Sequence, residues 1–229
     1  MESKIICIIP ARSGSKRILN KNIKLFCGKP LISYVIKNAF KSKLFDKIIV
    51  STDSQKISKI AINYGAETPF IRPKSISNSK ASTLSVIQHT INKLRLNDND
   101  IICCMYPTSP LLNISYIKKS LLLLNKNINK IIFTIMEFDN RFQRGFYINK
   151  NTINKFYSKN NIKKNSQDLT KLFVDAGQIY FGTVKKYKKL TNLIDKNNLF
   201  VIIKKDSVVD IDNISDWDYA EYMFKKLNK

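Results

Sequence analysis

The sequence predicts an α/β fold in which an open, mostly parallel sheet carries helices on both faces. Three observations predict it. Short β-branched runs of the kind buried on both faces of a parallel sheet recur at residues 4–9, 47–51 and 101–106. Segments with apolar residues at helical spacing stand between them, so strand and helix alternate. Prolines end two of the runs, Pro10 and Pro107, where a parallel strand gives way to a loop.

The first strand, 4–9, leads into a polar, glycine-bearing loop at 11–21 and then a helix over 31–40, with Pro30 placed to open its first turn. A second strand spans 47–51. A helix over 55–64 follows, closed by Gly65 at its C′ position, and a short extended piece runs over 69–72. An amphipathic helix is expected at 83–94, a strand at 101–106 and a helix at 115–124, where Ile117, Leu121 and Leu124 share a face. The rhythm then changes. Strands are expected at 131–136, 145–148 and 178–181, joined by long polar connections, and the region at about 137–182 reads as a small β-rich elaboration. A strand near 199–203, a loop carrying Asp210 and Asp212, and a helix over 216–227 close the chain, with Ser215 and Asp218 as a capping-box-like start.

A length of 229 residues with 44% hydrophobic content suits one well-buried core, so 1–229 is expected to form a single domain. The apolar run 5–9 is shorter than a signal-peptide core of about 7–15 residues. Nothing approaches the roughly 18 apolar residues of a membrane span. A soluble, cytoplasmic protein with no membrane partner is the expectation. Cys7, Cys27, Cys103 and Cys104 have no CxxC spacing and no neighbouring histidine, which points to reduced, buried thiols and away from a zinc site. The net charge of +23 invites a nucleic-acid reading. Its cations are spread along the chain among Asn and Ile without one basic stripe and without aromatic interleaving, so no nucleic-acid partner is expected. A general attraction for anionic small molecules follows from such a charge.

Four motifs carry chemistry. The loop Pro10-Ala11-Arg12-Ser13-Gly14-Ser15-Lys16-Arg17, with Lys21 and Asn22 shortly after, combines small residues with several cations where a buried strand ends. That composition suits a triphosphate cradle, and on its own also suits a basic surface loop. It is neither a GxxxxGK[ST] nor a GxGxxG loop. Tyr106-Pro107-Thr108-Ser109-Pro110 ends a strand and offers hydroxyls, or simply terminates the strand. Arg141-Phe142-Gln143-Arg144, Ser166-Gln167-Asp168 and Asp175-Ala176-Gly177-Gln178 supply a cation and amide groups suited to a carboxylate and acylamino groups, or to a polar interface. In Val209-Asp210-Ile211-Asp212 an extended chain puts both carboxylates on one side and Ile211 on the other, which sets two hard oxygen ligands together or simply makes a plain acidic loop.

Taken together and in this order, the motifs resemble the acylneuraminate cytidylyltransferase family. The opening Ile-Ile-Pro-Ala-Arg-Ser-Gly-Ser-Lys-Arg with Lys21-Asn22-Ile23 and Gly28-Lys29-Pro30-Leu31 is its most specific part. The resemblance implies a Rossmann-like sheet of the nucleotide-diphospho-sugar transferase type with a dimerisation elaboration. It also implies transfer of CMP from CTP to the anomeric hydroxyl of a nine-carbon nonulosonic acid, with pyrophosphate leaving. Ala11, Arg12, Ser13, Gly14, Ser15, Lys21, Asn22, Arg72, Ser82 and Thr83 would then surround the nucleotide, with Arg12, Lys21 and Asp212 as the catalytic set. Asp210 and Asp212 would bind Mg²⁺, and Tyr106, Thr108, Ser109, Gln143, Arg144, Gln167 and Gln178 would surround the sugar. Tyr106 in place of the glutamine usual in sialic acid enzymes is like the pseudaminic acid branch. Asn165 departs from that branch, which has Arg before Ser-Gln-Asp; Lys163 or Lys164 are the candidate substitutes. N-acetylneuraminic or legionaminic acid is the alternative acceptor. Trp217 and Tyr219 read as packing residues, and His89, the only histidine, as uninvolved in catalysis.

Overall fold

The computed structural model describes residues 3–155 and 163–228. In chain order the elements are β1 (Ile5–Pro10), β2 (Leu25–Phe26), β3 (Lys29–Pro30), α1 (Leu31–Ser42), β4 (Lys47–Ser51), α2 (Gln55–Asn63), α3 (Thr83–Leu94), β5 (Ile101–Met105), α4 (Ile114–Asn125) and β6 (Ile132–Phe138). They continue with β7 (Phe146–Asn149), β8 (Thr152–Lys155), β9 (Leu172–Thr183), α5 (Val184–Lys188), β10 (Leu199–Ile203) and α6 (Ile214–Leu227).

The central sheet has the order β10-β6-β9-β5-β1-β4. β9 runs antiparallel between β5 and β6, while β1 pairs parallel with β4 and β5, and β10 pairs parallel with β6. Alternation along the strands feeds two cores. Cys7, Ile9, Cys103 and Met105 pack with α1, α2 and α4 on one face. Ile6, Ile8, Ile102 and Cys104 pack with α3 and α5 on the other. The sheet is thus mostly parallel and covered on both faces, as the periodicity predicts. Cys7, Cys103 and Cys104 are buried free thiols, and desolvation holds each in its protonated form. Cys27 is only half-buried.

β1 lies at the centre of the chain's path: the connection to β4 leaves on one side and the connection to β5 returns on the other. This switch of direction opens a crevice beyond the carboxyl ends of β1 and β5, where ligands of open α/β sheets bind. A third, smaller core fixes the crevice's rim. Ile18 from the loop after β1, Phe26 from the β2–β3 hairpin, and Ile211, Trp217 and Ala220 from the C-terminal segment pack together. Phe26 meets Trp217 edge-on at 5.5 Å and Tyr34 at 5.4 Å. The loop after β1 and the loop before α6, distant in sequence, are therefore held by one apolar cluster.

Three expectations are corrected. The strand expected at 178–181 is the end of the twelve-residue β9 (Leu172–Thr183), which belongs to the central sheet. Its first half was hidden because Asp175 and Gly177 are poor strand formers. They sit at a bulge, where pairing with β6 jumps from Phe133↔Tyr180 to Ile135↔Asp175. Gly177 takes φ +60°, a conformation L side chains rarely adopt, and its N–H donates to Asp175 Oδ1 at 3.0 Å. The segment standing off the sheet is thus shorter than 137–182 and centres on the β7–β8 hairpin. The capping box of α6 is Asn213 with Asp216, two residues earlier than Ser215 with Asp218, and Ser215 Oγ instead donates to Asn213 Oδ1. Tyr219 is exposed and does not pack, whereas Trp217 is buried under Lys24.

Candidate active site

The loop after β1 is tied down before it reaches the cleft. Ala11 N–H donates to Ser51 O at 2.9 Å, and Ser13 gives both its N–H and its hydroxyl to Asp53 at 2.8 Å. Buried Asn22 donates from Nδ2 to Arg12 O at 2.9 Å. These bonds arrange the loop so that Arg12, Ser15, Lys16, Arg17, Lys21 and Asn22 line one cleft. Arg72, Ile76, Asn78, Ala81, Thr83 and Val86 line its remaining wall, and Tyr106, Pro107 and Thr108 its floor beyond β5. Ala11, Ser13 and Gly14, expected around the nucleotide, shape the loop without lining the cleft. Ser82 uses its Oγ to accept from Ser85 N at 3.1 Å as the N-cap of α3, and faces a neighbouring recess instead.

Such a density of cations attracts anions. Asp212 supplies one: Arg17 Nη2 approaches its Oδ1 at 2.7 Å and Lys21 Nζ at 3.6 Å. Lys21 also donates to Ile211 O, so this ammonium joins the loop after β1 to the loop before α6. Ile211 is fully buried and the carboxylates flanking it point out of the core, as the alternation predicts. Partial desolvation and the neighbouring charge of Asp212 push the Asp210 carboxyl above its ordinary range, with Lys21 and Arg17 opposing. Asp216 Oδ2 accepts from the backbone N–H of both Asp212 and Asn213 at 2.9 Å, which holds the loop independently of its side chains. Arg72 is 3% exposed. Its Nε donates to Ser77 Oγ at 3.0 Å while Nη1 has no partner among the described residues. Burial pulls its pKa down, the nearby Arg12 adds to this and Asp53 opposes it.

Tyr106 and Thr108 also line a second pocket, with Ser109, Met136, Phe138, Gln178, Tyr180 and Asp210. Gln178 is buried, donates to Ser207 O at 2.7 Å and leaves Oε1 without a partner among the described residues, an acceptor ready for a ligand N–H or O–H. Four of the residues expected around a sugar, Tyr106, Thr108, Ser109 and Gln178, are thus brought together. Three are not. Gln143 is buried and donates to Thr170 O at 2.6 Å, Arg144 donates to Ser166 Oγ at 2.8 Å, and Gln167 is exposed on a short turn. All three sit near the off-sheet hairpin. His89 lies edge-on to Phe70 at 5.1 Å, outside both pockets. Sequence reasoning missed Asp53, which meets Ser13 across 40 residues, and gave no individual role to Asp175 or Tyr180, which a bulge brings together.

Asp210 and Asp212 fit a magnesium ion as a partial ligand set. Among the described residues no cluster of three or more His, Cys, Asp or Glu could hold a metal by itself. Mg²⁺ is commonly held by one or two carboxylates plus substrate phosphates, and two carboxylates are what this rim would contribute.

Comparison with known proteins places this geometry. The model of a family described as cytidylyltransferase matches residues 6–226. The pseudaminic acid cytidylyltransferase of Campylobacter jejuni is 41% identical over 224 residues, 97% of each chain. The N-acylneuraminate cytidylyltransferase of Escherichia coli is 29% identical over 231 residues, covering 100% of this chain and 54% of that one. Among solved structures, a CMP:2-keto-3-deoxy-manno-octonic acid synthetase complexed with CTP superposes with a TM-score of 0.74 at 14% identity, covering 98% of this chain and 100% of that one.

Proposed function

The chain belongs to the cytidylyltransferase family, and from this we infer that it transfers CMP from CTP to pseudaminic acid, with release of pyrophosphate. The observation that carries the inference is the 41% identity across nearly the full length of an enzyme with that activity. The geometry supports it: a cationic cleft and a second pocket, lined by hydroxyl and amide groups together with Asp175 and Asp210, share Tyr106 and Thr108 as a common wall.

The reaction asks the protein to position and to neutralise charge more than to form covalent bonds. The triphosphate lies against Arg12 and Lys21, and the nucleoside against the wall that carries Arg72 and Thr83. The sugar sits beside Tyr106, Thr108, Ser109 and Gln178 with its anomeric hydroxyl toward the α-phosphorus. A new O–P bond forms as the bond from the α-phosphorus to the β-phosphate oxygen breaks and the hydroxyl proton is released to water, and Arg12 and Lys21 offset the charge on the leaving pyrophosphate. Asp210 and Asp212 would hold Mg²⁺, which when bound withdraws charge from phosphate oxygens and lowers the pKa of a hydroxyl it contacts. Lys21, already between Asp212 and the loop after β1, keeps the two loops at a fixed separation.

The acceptor is tested by CTP-dependent pyrophosphate release with purified pseudaminic, N-acetylneuraminic and legionaminic acids. Pseudaminic acid is expected to give a kcat/KM at least about a hundredfold above the others, since mismatched hydroxyl and acylamino groups leave buried polar atoms unpaired. Equal or better use of another sugar overturns the assignment.

A homodimer is the assembly proposed, and the β7–β8 hairpin offers the surface. Its Phe146, Tyr147, Ile148 and Ile153 are all more than half exposed or nearly so, with Ile148 at 78% and Ile153 at 72% directly opposite one another. An isolated two-stranded hairpin with such a face is not stable in water without a partner. Arg144 stands near this hairpin, so its assignment to the sugar carboxylate rests on assembly and not on one protomer's pocket. Replacing Ile148→Glu together with Ile153→Lys is expected to convert the dimer to monomer in light scattering. A wild-type monomer, or a variant that stays dimeric, removes the hairpin from the interface.

A further inference from the structure

Asp175 lines the second pocket with its carboxylate held from two sides. The bulge in β9 turns the Gly177 N–H onto Oδ1 at 3.0 Å, and the Tyr180 hydroxyl donates to Oδ2 at 2.5 Å. Tyr180 is itself fixed: it is 1% exposed, and its backbone carbonyl accepts from the Tyr187 hydroxyl at 2.9 Å. A carboxylate offers about four lone-pair sites and these bonds use two of them. Asp175 therefore keeps acceptor capacity, and its orientation is set before any ligand arrives. It makes no ion pair with a described residue.

The lining around Asp175 narrows what such an acceptor meets. Among the described residues no Lys, Arg or His lines this pocket, and Gln178 adds a buried Oε1 that has no partner there. The pocket is rich in acceptors and, through Asp175 and Asp210, negative. Lys21 and Arg17 of the cleft offset the charge of Asp210, whereas that of Asp175 is left to the pocket. In a 2-keto sugar acid the carboxylate and the anomeric hydroxyl share one carbon. Repulsion by Asp175 turns that end of the sugar toward the cations of the adjoining cleft, and like-charge repulsion of this kind fixes register. The far end, with its hydroxyls and acylamino groups, is left at Asp175.

Building on the reading that this pocket takes the sugar acid, we propose that Asp175 is a specificity-determining residue, accepting a hydrogen bond from a hydroxyl or acylamino N–H at the end of the sugar remote from its carboxylate. In Asp175→Asn the amide oxygen keeps the Gly177 N–H and the NH₂ takes the place of Oδ2, so a donor replaces the acceptor that the sugar meets. Loss of a charge-assisted bond is expected to raise KM for the preferred sugar acid at least about tenfold, with KM for CTP within about twofold of the wild type.

The test is steady-state kinetics in the wild type and in Asp175→Asn, each checked for folding by circular dichroism. The substrates are the preferred sugar acid and analogues with one remote hydroxyl replaced by hydrogen or one acylamino nitrogen methylated. One analogue is expected to lose at least about tenfold in kcat/KM with the wild type and less than about threefold with the variant, which identifies the donor. Tyr180→Phe keeps the buried ring, leaves the charge of Asp175 in place and removes one of its two ties. It is expected to raise KM for the sugar about threefold with KM for CTP unchanged, and it carries the test if Asp175→Asn does not fold. An unchanged KM for the sugar, a parallel rise in KM for CTP, or analogue losses equal in wild type and variant overturn the proposal. Absence of wild-type turnover with all three sugar acids overturns the reading of function, and this proposal with it.

Discussion

Asp212→Ala is expected to abolish turnover, lowering kcat by about a thousandfold or more, while the melting temperature stays within about two degrees of the wild type. The two halves of this expectation have separate causes. Asp212 is about one-third exposed and pairs with Arg17 and Lys21 at the surface. Loss of such a pair costs about 0–1 kcal/mol. The backbone around it is held by other groups: Ile211 is fully buried, and Asp216 takes the N–H of residues 212 and 213. The loop therefore survives. Catalysis does not, because under the proposed metal assignment the second carboxylate for Mg²⁺ would be gone, and metal stabilisation of phosphoryl charge is worth several kcal/mol, of which roughly 4 correspond to a factor of a thousand. Arg17 and Lys21 lose their counter-charge as well, and triphosphate can still bind them. KM for CTP is thus expected to change little beside kcat. Pyrophosphate release at saturating CTP, read beside a thermal melt, checks both halves; near-normal kcat would remove Asp212 from the metal site.

The parts of this site that were legible in the sequence are those whose chemistry is local. The alternation Asp210-Ile211-Asp212 fixes which side chains point outward whatever the rest of the chain does, and Ile211 is buried as it requires. The strand at 4–9 and its cationic loop follow from a β-branched run and a proline, and β1 with its cleft residues bears them out. What was hidden depends on partners far away in the chain. Ser13 faces Asp53, 40 residues distant, so neither residue signals the contact. Gln143 reads as an amide free for ligand, yet the fold brings Thr170 O to it. The first half of β9 was missed because a bulge needs residues that weaken a strand, and the same bulge places Asp175 where its carboxylate accepts from the Tyr180 hydroxyl.

Arg72 separates stability from function with opposite signs. Its guanidinium is buried, one arm is bonded to Ser77 and Nη1 is left without a partner among the described residues. A buried cation with an empty arm is a cost to the ligand-free protein, and a group of CTP that accepts hydrogen bonds relieves it. Arg72→Met keeps the side chain's length and apolar stem, and Ser77 Oγ still donates to Pro73 O at 2.9 Å, so the substitution leaves no new orphan there. Backbone geometry is kept as well, since Arg72 N–H donates to Thr52 O at 2.7 Å. The ligand-free Tm is expected to rise by about 2–4 °C, the shift that roughly 1 kcal/mol gives in a chain of this size. KM for CTP is expected to rise at least tenfold, since a charge-assisted hydrogen bond contributes about 1.5–3 kcal/mol. Arg72→Lys should not restore it, because an ammonium cannot serve Ser77 and the ligand through one planar fork. Thermal melts with and without CTP read both effects at once: the variant melts higher alone and gains less from nucleotide. An unchanged KM, or a lower ligand-free Tm with normal CTP binding, would make Arg72 a structural residue and leave recognition of the nucleoside to the rest of that wall.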